Sequence, residues 1–440
     1  VTTSAPPSIV RPTPAPIPPA LIGRIGPRPN DGVLFAILLA GYPVAWILGL
    51  GLVHHVAMAA AMVVWLAANG PLRIAPGTGY LALFLAVAAF SSIGLDSPGA
   101  AALFGLRYSW YAAALISWLY LARHRGPSGG RRLVRSFVTL WGLVVVGGWL
   151  SVVAPELGWT TPLAELLPGA LADNDLIGRF LQPQVSETQV FPYQDVILHR
   201  PASPFAYTNG WGSAMALLTP FALAALHDRR IGIPRPIMIA LLAAAVVPFA
   251  AALNRGAWLT LGLGLVYGAI RWARLRRDPR PLVLLGVVVA AGLALATATG
   301  AAESAVDALA TRSADSNETR TGLYVETLAE TARSPLIGYG TTRPSTDNPD
   351  GPPLGTHGQL WAVLFAHGYL GLALYVGFFA TALLRARSAD PVQHWAKVSL
   401  FIGILQLPIY GHLPHQLFVM VGAAAVAGWP SERRGTPSRR

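Results

Sequence analysis

The sequence has no cysteine. That excludes a disulfide framework, a thiolate metal site and a cysteine nucleophile. Charge is also scarce: Asp, Glu, Lys and Arg make up 12% of the 440 residues, where a soluble domain carries roughly a quarter. Acids are scarcer than bases, 20 against 32 Lys and Arg, for a net charge of +12. A phosphate-cradling Gly-rich loop with a following Lys-Ser/Thr, a His-Glu-x-x-His helix and a nucleophile elbow are all missing. Acidic pairs with metal-ligand spacing are missing too; Asp96 and Asp173/Asp175 only imitate one. The expectation is therefore no cofactor and no metal.

What is abundant is apolar sequence: 53% of residues are hydrophobic and the mean hydropathy is +0.50. Apolar stretches fall at about 33–52, 54–69, 79–95, 104–122, 134–153, 206–226, 236–253, 257–272, 281–299, 357–383, 395–411 and 413–429. Such stretches predict an all-α integral membrane protein with about twelve transmembrane helices, some of them short for a hydrocarbon core that takes about 20 helical residues to cross. Residues 1–32, rich in Pro, Thr and Ala and without an apolar run, read as a disordered tail rather than a signal peptide. The rest, 33–430, reads as one polytopic domain with a second tail at 431–440.

The connections alternate in charge. Arg123, Arg125, Arg131, Arg132 and Arg135 crowd 123–135, and 227–235 and 271–280 are also basic. The long connections 154–205 and 300–356 are acid-rich. Positive-inside bias puts the basic connections and both termini in the cytoplasm and the two long loops outside. The same clustering marks the basic residues as topology signals rather than nucleic-acid contacts. Within the second loop, 317–333 reads as a helix with Asn317 as N-cap, and Pro335 stops it. Residues 155–205 read as an irregular lid.

Three basic groups break the charge pattern by facing outward: Arg255 at the tip of a hairpin, Arg320 at the start of the loop helix, and His357 at the start of the span 357–383. Arg200, at the end of the first loop, joins them. Guanidinium groups hold their charge at any working pH and bind phosphate bidentately, and a histidine exchanges protons near neutrality. A lipid diphosphate fits such a place, with phosphates at the interface and hydrocarbon in the bilayer. Plainer readings stand beside this one. Arg255 is also placed to snorkel to the headgroups, Arg320 to pair with Glu318 or Glu326, His357 to bond a helix start, and Arg200 to stiffen a loop.

Three local patterns carry a resemblance: Asn254-Arg255-Gly256-Ala257; Arg320, an apolar helix and then Ser334-Pro335-Leu336-Ile337-Gly338-Tyr339-Gly340; and Thr356-His357-Gly358-Gln359-Leu360 followed by His367-Gly368-Tyr369-Leu370-Gly371. In their order and placement they resemble the O-antigen ligase / O-antigen polymerase family of bacterial membrane glycosyltransferases. The resemblance implies an inverting, metal-independent transfer of a glycan from a polyprenyl-diphosphate carrier to a glycan or glycolipid acceptor. It implies that Arg255 and Arg320 hold the diphosphate and that His357 orients or deprotonates the acceptor hydroxyl. Arg200, Asn209, Tyr324 and Tyr339 join Arg255 and Arg320 as expected substrate-binding residues. The resemblance also implies a bacterial cytoplasmic membrane as location, with the site facing outward among membrane lipids. Two positions depart from the family pattern: Gly358 stands where asparagine is usual, and Pro204 where glycine is common. A polymerase of the same family is one alternative. A transporter or flippase of lipid-linked glycans is another, and it predicts charges buried mid-span and repeated halves. A structural scaffold predicts nothing for the three basic groups.

Overall fold

The computed structural model describes residues 32–124, 127–166, 175–191, 196–298, 320–349, 351–386 and 390–429. The chain from Gly32 onward is one compact unit. Both expected tails lie essentially outside the described residues, as do Asn317, Glu318 and the rest of 299–319.

The protein is mostly helical. Each of the twelve apolar stretches carries α-helix. The first is broken into Val33–Ala40 and Tyr42–Ile47. The others give His54–Ala68, Thr78–Phe90, Pro98–Arg123, Pro127–Val153, Thr208–His227, Arg235–Ala251, Arg255–Arg276, Arg280–Ala298, Gln359–Arg385, Pro391–Gln406 and His415–Ala427. Among the described residues, Gly129–Val153 and Gln359–Arg385 are long and apolar enough to cross a membrane. Helix starts follow local chemistry. Ser97 caps Pro98–Arg123 by accepting from Ala100 N at 3.2 Å, and Asp390 caps Pro391–Gln406 by accepting from Val392 N at 2.9 Å. Each cap is followed by proline at the first helical position, where no amide hydrogen is needed.

Thr208–His227, Pro391–Gln406 and His415–Ala427 form the centre, buried along most of their length. Peripheral helices turn apolar side chains outward: Leu259, Leu263 and Val266 on one, Ile237, Ile239 and Val246 on another. Contiguous apolar surface of this kind suits hydrocarbon rather than water. His415–Ala427, with 13 residues, is only about 20 Å long. The non-helical turn at 407–414 precedes it, and protein groups satisfy its Leu407, Pro408, Tyr410 and His412 carbonyls, as irregular backbone away from water requires.

Two expectations need correction. The protein is not purely α: Ser186–Phe191 and Val196–Pro201 pair as an antiparallel hairpin with Glu187 opposite Arg200. The 155–205 connection thus contains a paired hairpin, and the hairpin does structural work. Glu187 accepts from Thr208 N at 2.9 Å, capping the central Thr208–His227 helix from outside. The span expected to begin at 104 begins at Pro98, which puts Arg107 well inside a helix instead of at its mouth.

Gln359–Arg385 is interrupted at Gly368, with φ 66° and ψ −175°. The 334–340 segment plugs the gap. Tyr339 N and Gly340 N donate to the Phe365 and Ala366 carbonyls at 3.0 and 2.8 Å, and Tyr369 N donates to the Pro335 carbonyl at 2.8 Å. The loop helix itself runs over 320–331.

Candidate active site

The Gln359–Arg385 helix starts against the 407–410 turn. Its amides Gln359 N and Leu360 N donate to the Tyr410 and Leu407 carbonyls at 2.7 and 2.8 Å, and Trp361 Nε1 donates to the Pro408 carbonyl at 3.1 Å. These bonds fill donors that a helix start otherwise leaves open. They also fix Gly358, because a Cβ there would lie 2.6 Å from the Pro408 carbonyl oxygen. The departure from asparagine at this position is therefore a packing requirement of this chain.

His357 precedes that glycine with φ 62°, a left-handed conformation uncommon outside glycine and asparagine. Tyr324 holds it. Its hydroxyl donates to the His357 carbonyl at 3.1 Å, and its ring stacks on Trp361 with centroids 4.3 Å apart. Thr356 sets the tautomer. Its hydroxyl donates to the Pro353 carbonyl at 2.6 Å, so at 3.0 Å from His357 Nδ1 it can only accept. Nδ1 then carries the proton, and Nε2 keeps its lone pair with no partner among the described residues. Burial, and then the charge of Arg320, hold this imidazole below its usual pKa of 6.5. Both effects disfavour the imidazolium, so His357 is neutral at pH 7 and able to accept a proton. The acid limb of a kcat/KM–pH profile is accordingly expected below pH 6.5. A limb above that value would contradict the environment described.

A cavity of about 320 Å³ opens beside His357, lined among others by Arg107, Tyr111, Asn209, Arg320, His357 and Tyr410. No carboxylate is among its described lining residues. Arg320, the first described residue of the loop helix, is half-buried. The pairing with Glu326 is not formed: that carboxylate accepts instead from Ser345 Oγ at 2.5 Å and Thr346 N at 2.7 Å. Arg255 is exposed, heads the Arg255–Arg276 helix and lies just outside the lining. Arg320, Arg200 and Arg255 all lie within electrostatic reach of the Tyr410 hydroxyl. Of the three, Arg320 also acts on His357, while Arg200 and Arg255 are tied to the site through Tyr410.

The remaining expected site residues divide. Asn209 lines the cavity and sits 3.5 Å from Asn254 Nδ2. Arg200 is buried, outside the lining, and donates through Nε to the Ala252 carbonyl at 2.8 Å, which ties the hairpin to the turn before Arg255. Tyr324 spends its hydroxyl on His357, and so positions a neighbour instead of facing the cavity. Tyr339 is outside the lining as well. Its hydroxyl donates to the Glu330 carbonyl at 3.0 Å and Arg343 covers its ring at 4.3 Å, because the 334–340 segment is a plug in the broken helix.

Three residues of the site were assigned no part in it from the sequence, although Asn254 and Gln359 stand in the quoted patterns. Tyr410 is the group around which the arginines gather. Asn254 accepts from the Tyr410 hydroxyl and from Ala257 N, the latter at 3.4 Å, so it both caps Arg255–Arg276 and anchors the 410 turn. Gln359 donates to the Tyr111 hydroxyl at 2.8 Å and accepts from His412 N at 3.0 Å, joining three segments. Among the described residues no cluster of three His, Asp or Glu side chains is placed to hold a metal ion.

Residues 237–376 match the family described as O-antigen ligase. That segment, less than half of the chain, is similar to the O-antigen ligase family. It includes Arg255, Arg320, Tyr324, Tyr339 and His357, together with the plug and the break at Gly368 that it fills. The resemblance read from the local patterns is borne out on the stretch that carries all three of them. O-antigen ligase family members are integral to bacterial membranes and are glycosyltransferase-like enzymes of lipid-linked glycans. Arg107, Arg200, Asn209 and Tyr410 lie outside the matched residues. No curated protein matches the chain.

Proposed function

We propose that this protein transfers a glycan from a polyprenyl-diphosphate carrier to an acceptor hydroxyl at the outer face of the bacterial cytoplasmic membrane. The observation that carries the reading is the meeting of Arg320, His357 and Tyr410 in one cavity with Arg255 close by. The twelve apolar helices would cross the bilayer, with the basic connections inside and the cavity outside.

In this reading the diphosphate lies against Arg320 and Arg255, and its prenyl chain runs into the bilayer. The acceptor hydroxyl lies against His357 Nε2. The hydroxyl oxygen attacks the anomeric carbon from the side opposite the diphosphate, so the configuration inverts. As the new C–O bond forms, the bond to the diphosphate oxygen breaks and the proton passes to Nε2. The guanidinium groups stabilise the charge growing on the leaving diphosphate, without a metal ion.

The test is a reconstitution of purified protein with a polyprenyl-diphosphate oligosaccharide in excess EDTA. The expected result is release of one polyprenyl diphosphate for each glycan transferred, with an inverted anomeric linkage. Strict dependence on a divalent cation, or retention at the anomeric carbon, overturns the mechanism. Whether the sugar ends on lipid, on a growing glycan or on protein separates a ligase from a polymerase.

A further inference from the structure

One group in the cavity is left over by this mechanism. Arg107, on the Pro98–Arg123 helix, lines the cavity and has no hydrogen bond or ion pair among the described residues. Around it lie the Tyr111 ring one helical turn on and the His367 ring, whose centroids are 5.9 Å apart, and Phe104, 6.5 Å from His367. His367 is fixed by the helix break beside it and by Ser91 Oγ at 3.1 Å from its Nδ1.

The cavity is therefore positive at two places. The charge acting on His357 is that of Arg320; the charge acting on His367 is that of Arg107. One pole gathers Arg320, Arg255 and Arg200 around Tyr410, and the other is Arg107 among Tyr111, Phe104 and His367. Gln359 stands between them, bonded to Tyr111 on one side and to the 412 amide on the other. A half-buried guanidinium with neither carboxylate nor carbonyl to satisfy it is costly in an apolar helix bundle, and such a group ordinarily marks a ligand site.

We propose that Arg107 forms a second anion subsite in this cavity, which binds a phosphate or carboxylate on the saccharide portion of a substrate. The proposal rests on the reading that Arg320 and Arg255 hold the carrier diphosphate. That pole is then filled by the donor's own phosphates, and Arg107 faces the sugars. Its planar fork suits the two oxygens of a uronate or a sugar phosphate, and the Trp110 and Tyr111 rings, both in the cavity lining, supply the apolar walls that sugar faces pack against. The anionic sugar can arrive on the donor glycan or on the acceptor. Either way the subsite confers selectivity for acidic over neutral saccharides.

The experiment uses the full chain in lipid nanodiscs as wild type, Arg107→Gln, Arg107→Lys and Arg320→Gln, each checked for folding by thermal unfolding. A first arm measures affinity for undecaprenyl diphosphate without sugar. A second compares undecaprenyl-diphosphate oligosaccharides with and without a uronate. A third compares a phosphorylated with a neutral free oligosaccharide at saturating undecaprenyl diphosphate. Wild type is expected to prefer the anionic sugar by about tenfold or more in the second or third arm, the worth of a charged hydrogen-bonded pair. Arg107→Gln is expected to erase that preference and leave the first arm within about twofold, while Arg107→Lys restores part of it. The arm that shows the preference names the substrate that carries the anion. Equal binding of acidic and neutral sugars by wild type overturns the subsite. So does loss of bare undecaprenyl diphosphate by Arg107→Gln on the scale of Arg320→Gln, since the two poles would then be one. Unchanged binding of bare undecaprenyl diphosphate by Arg320→Gln would strike the donor reading instead, and it leaves the sugar preference of Arg107 to be read separately.

Discussion

Glycan transfer by His357→Asn is expected to fall by about 10²- to 10⁴-fold in kcat, the usual worth of a positioned general base. The choice of asparagine follows from the backbone. His357 has φ 62°, and asparagine is among the few residues that adopt this conformation readily. The variant therefore keeps the turn and the Tyr324 bond to the 357 carbonyl, and loses only the imidazole. KM for the donor should change little, because the diphosphate lies against Arg320 and Arg255 in the proposed mechanism. Arg320→Gln complements it. Removing one preorganised cation from a developing diphosphate charge is expected to lower kcat/KM by about 10²- to 10³-fold. It should also weaken donor binding, which His357→Asn should not. Removing the Arg320 charge relieves one of the two causes that hold His357 low, so residual activity should show its acid limb at higher pH than wild type. A variant at His357 that keeps near-normal kcat, measured by release of polyprenyl diphosphate, would remove the proposed base.

Much of this was legible in the sequence, and the pattern of what was not is physical. Apolar stretches became helices at every place expected, since a run of Leu, Val and Ala offers the backbone little alternative away from water. Arg320 and His357, which the structure puts on one cavity, were singled out because a charge or an imidazole at the edge of an apolar segment is conspicuous. Tyr410, Asn254 and Gln359 were not. They are neutral, sit at span ends where polar residues are common, and acquire a role only through partners far along the chain, such as the Tyr111 hydroxyl for Gln359. The hairpin of 186–201 was missed because six-residue strands in a Pro- and Gln-rich stretch carry a weak alternation signal. Arg200 was placed at the site by its charge at a loop end, and Tyr339 as an expected substrate-binding residue. The structure puts their polar groups on backbone carbonyls, a use that residue type alone cannot distinguish from ligand binding.

Gly338→Ala is expected to cost more folded protein than its single methyl suggests. Gly338 has φ 63°, where an L residue loses about 1 kcal/mol relative to glycine. The larger effect is steric. A Cβ at 338 would stand 2.4 Å from the Phe365 carbonyl oxygen, 2.5 Å from the Ala366 carbonyl carbon and 2.6 Å from the His367 amide nitrogen. All three are backbone atoms, so no rotamer can relieve the clash; the plug must lift out of the broken helix. Lifting it frees the Phe365 and Ala366 carbonyls and the Tyr369 amide in the region of the Gly368 break, where Phe365 and His367 are buried. Each buried group left unpaired costs about 1–3 kcal/mol, so the sum approaches the whole stability of an ordinary domain. The expected result is a marked loss of monodisperse protein, a lower thermal midpoint in what remains, and transfer activity reduced with it, because His367 and the start of the cavity wall hang on the same break. Gly322→Ala is the control. It sits on the loop helix with open space where its Cβ would go, and alanine there should be neutral or stabilise by about 1 kcal/mol. If the two alanine variants unfold at the same temperature as wild type, the plug is not what holds the break, and His367 must be positioned by its Ser91 contact alone.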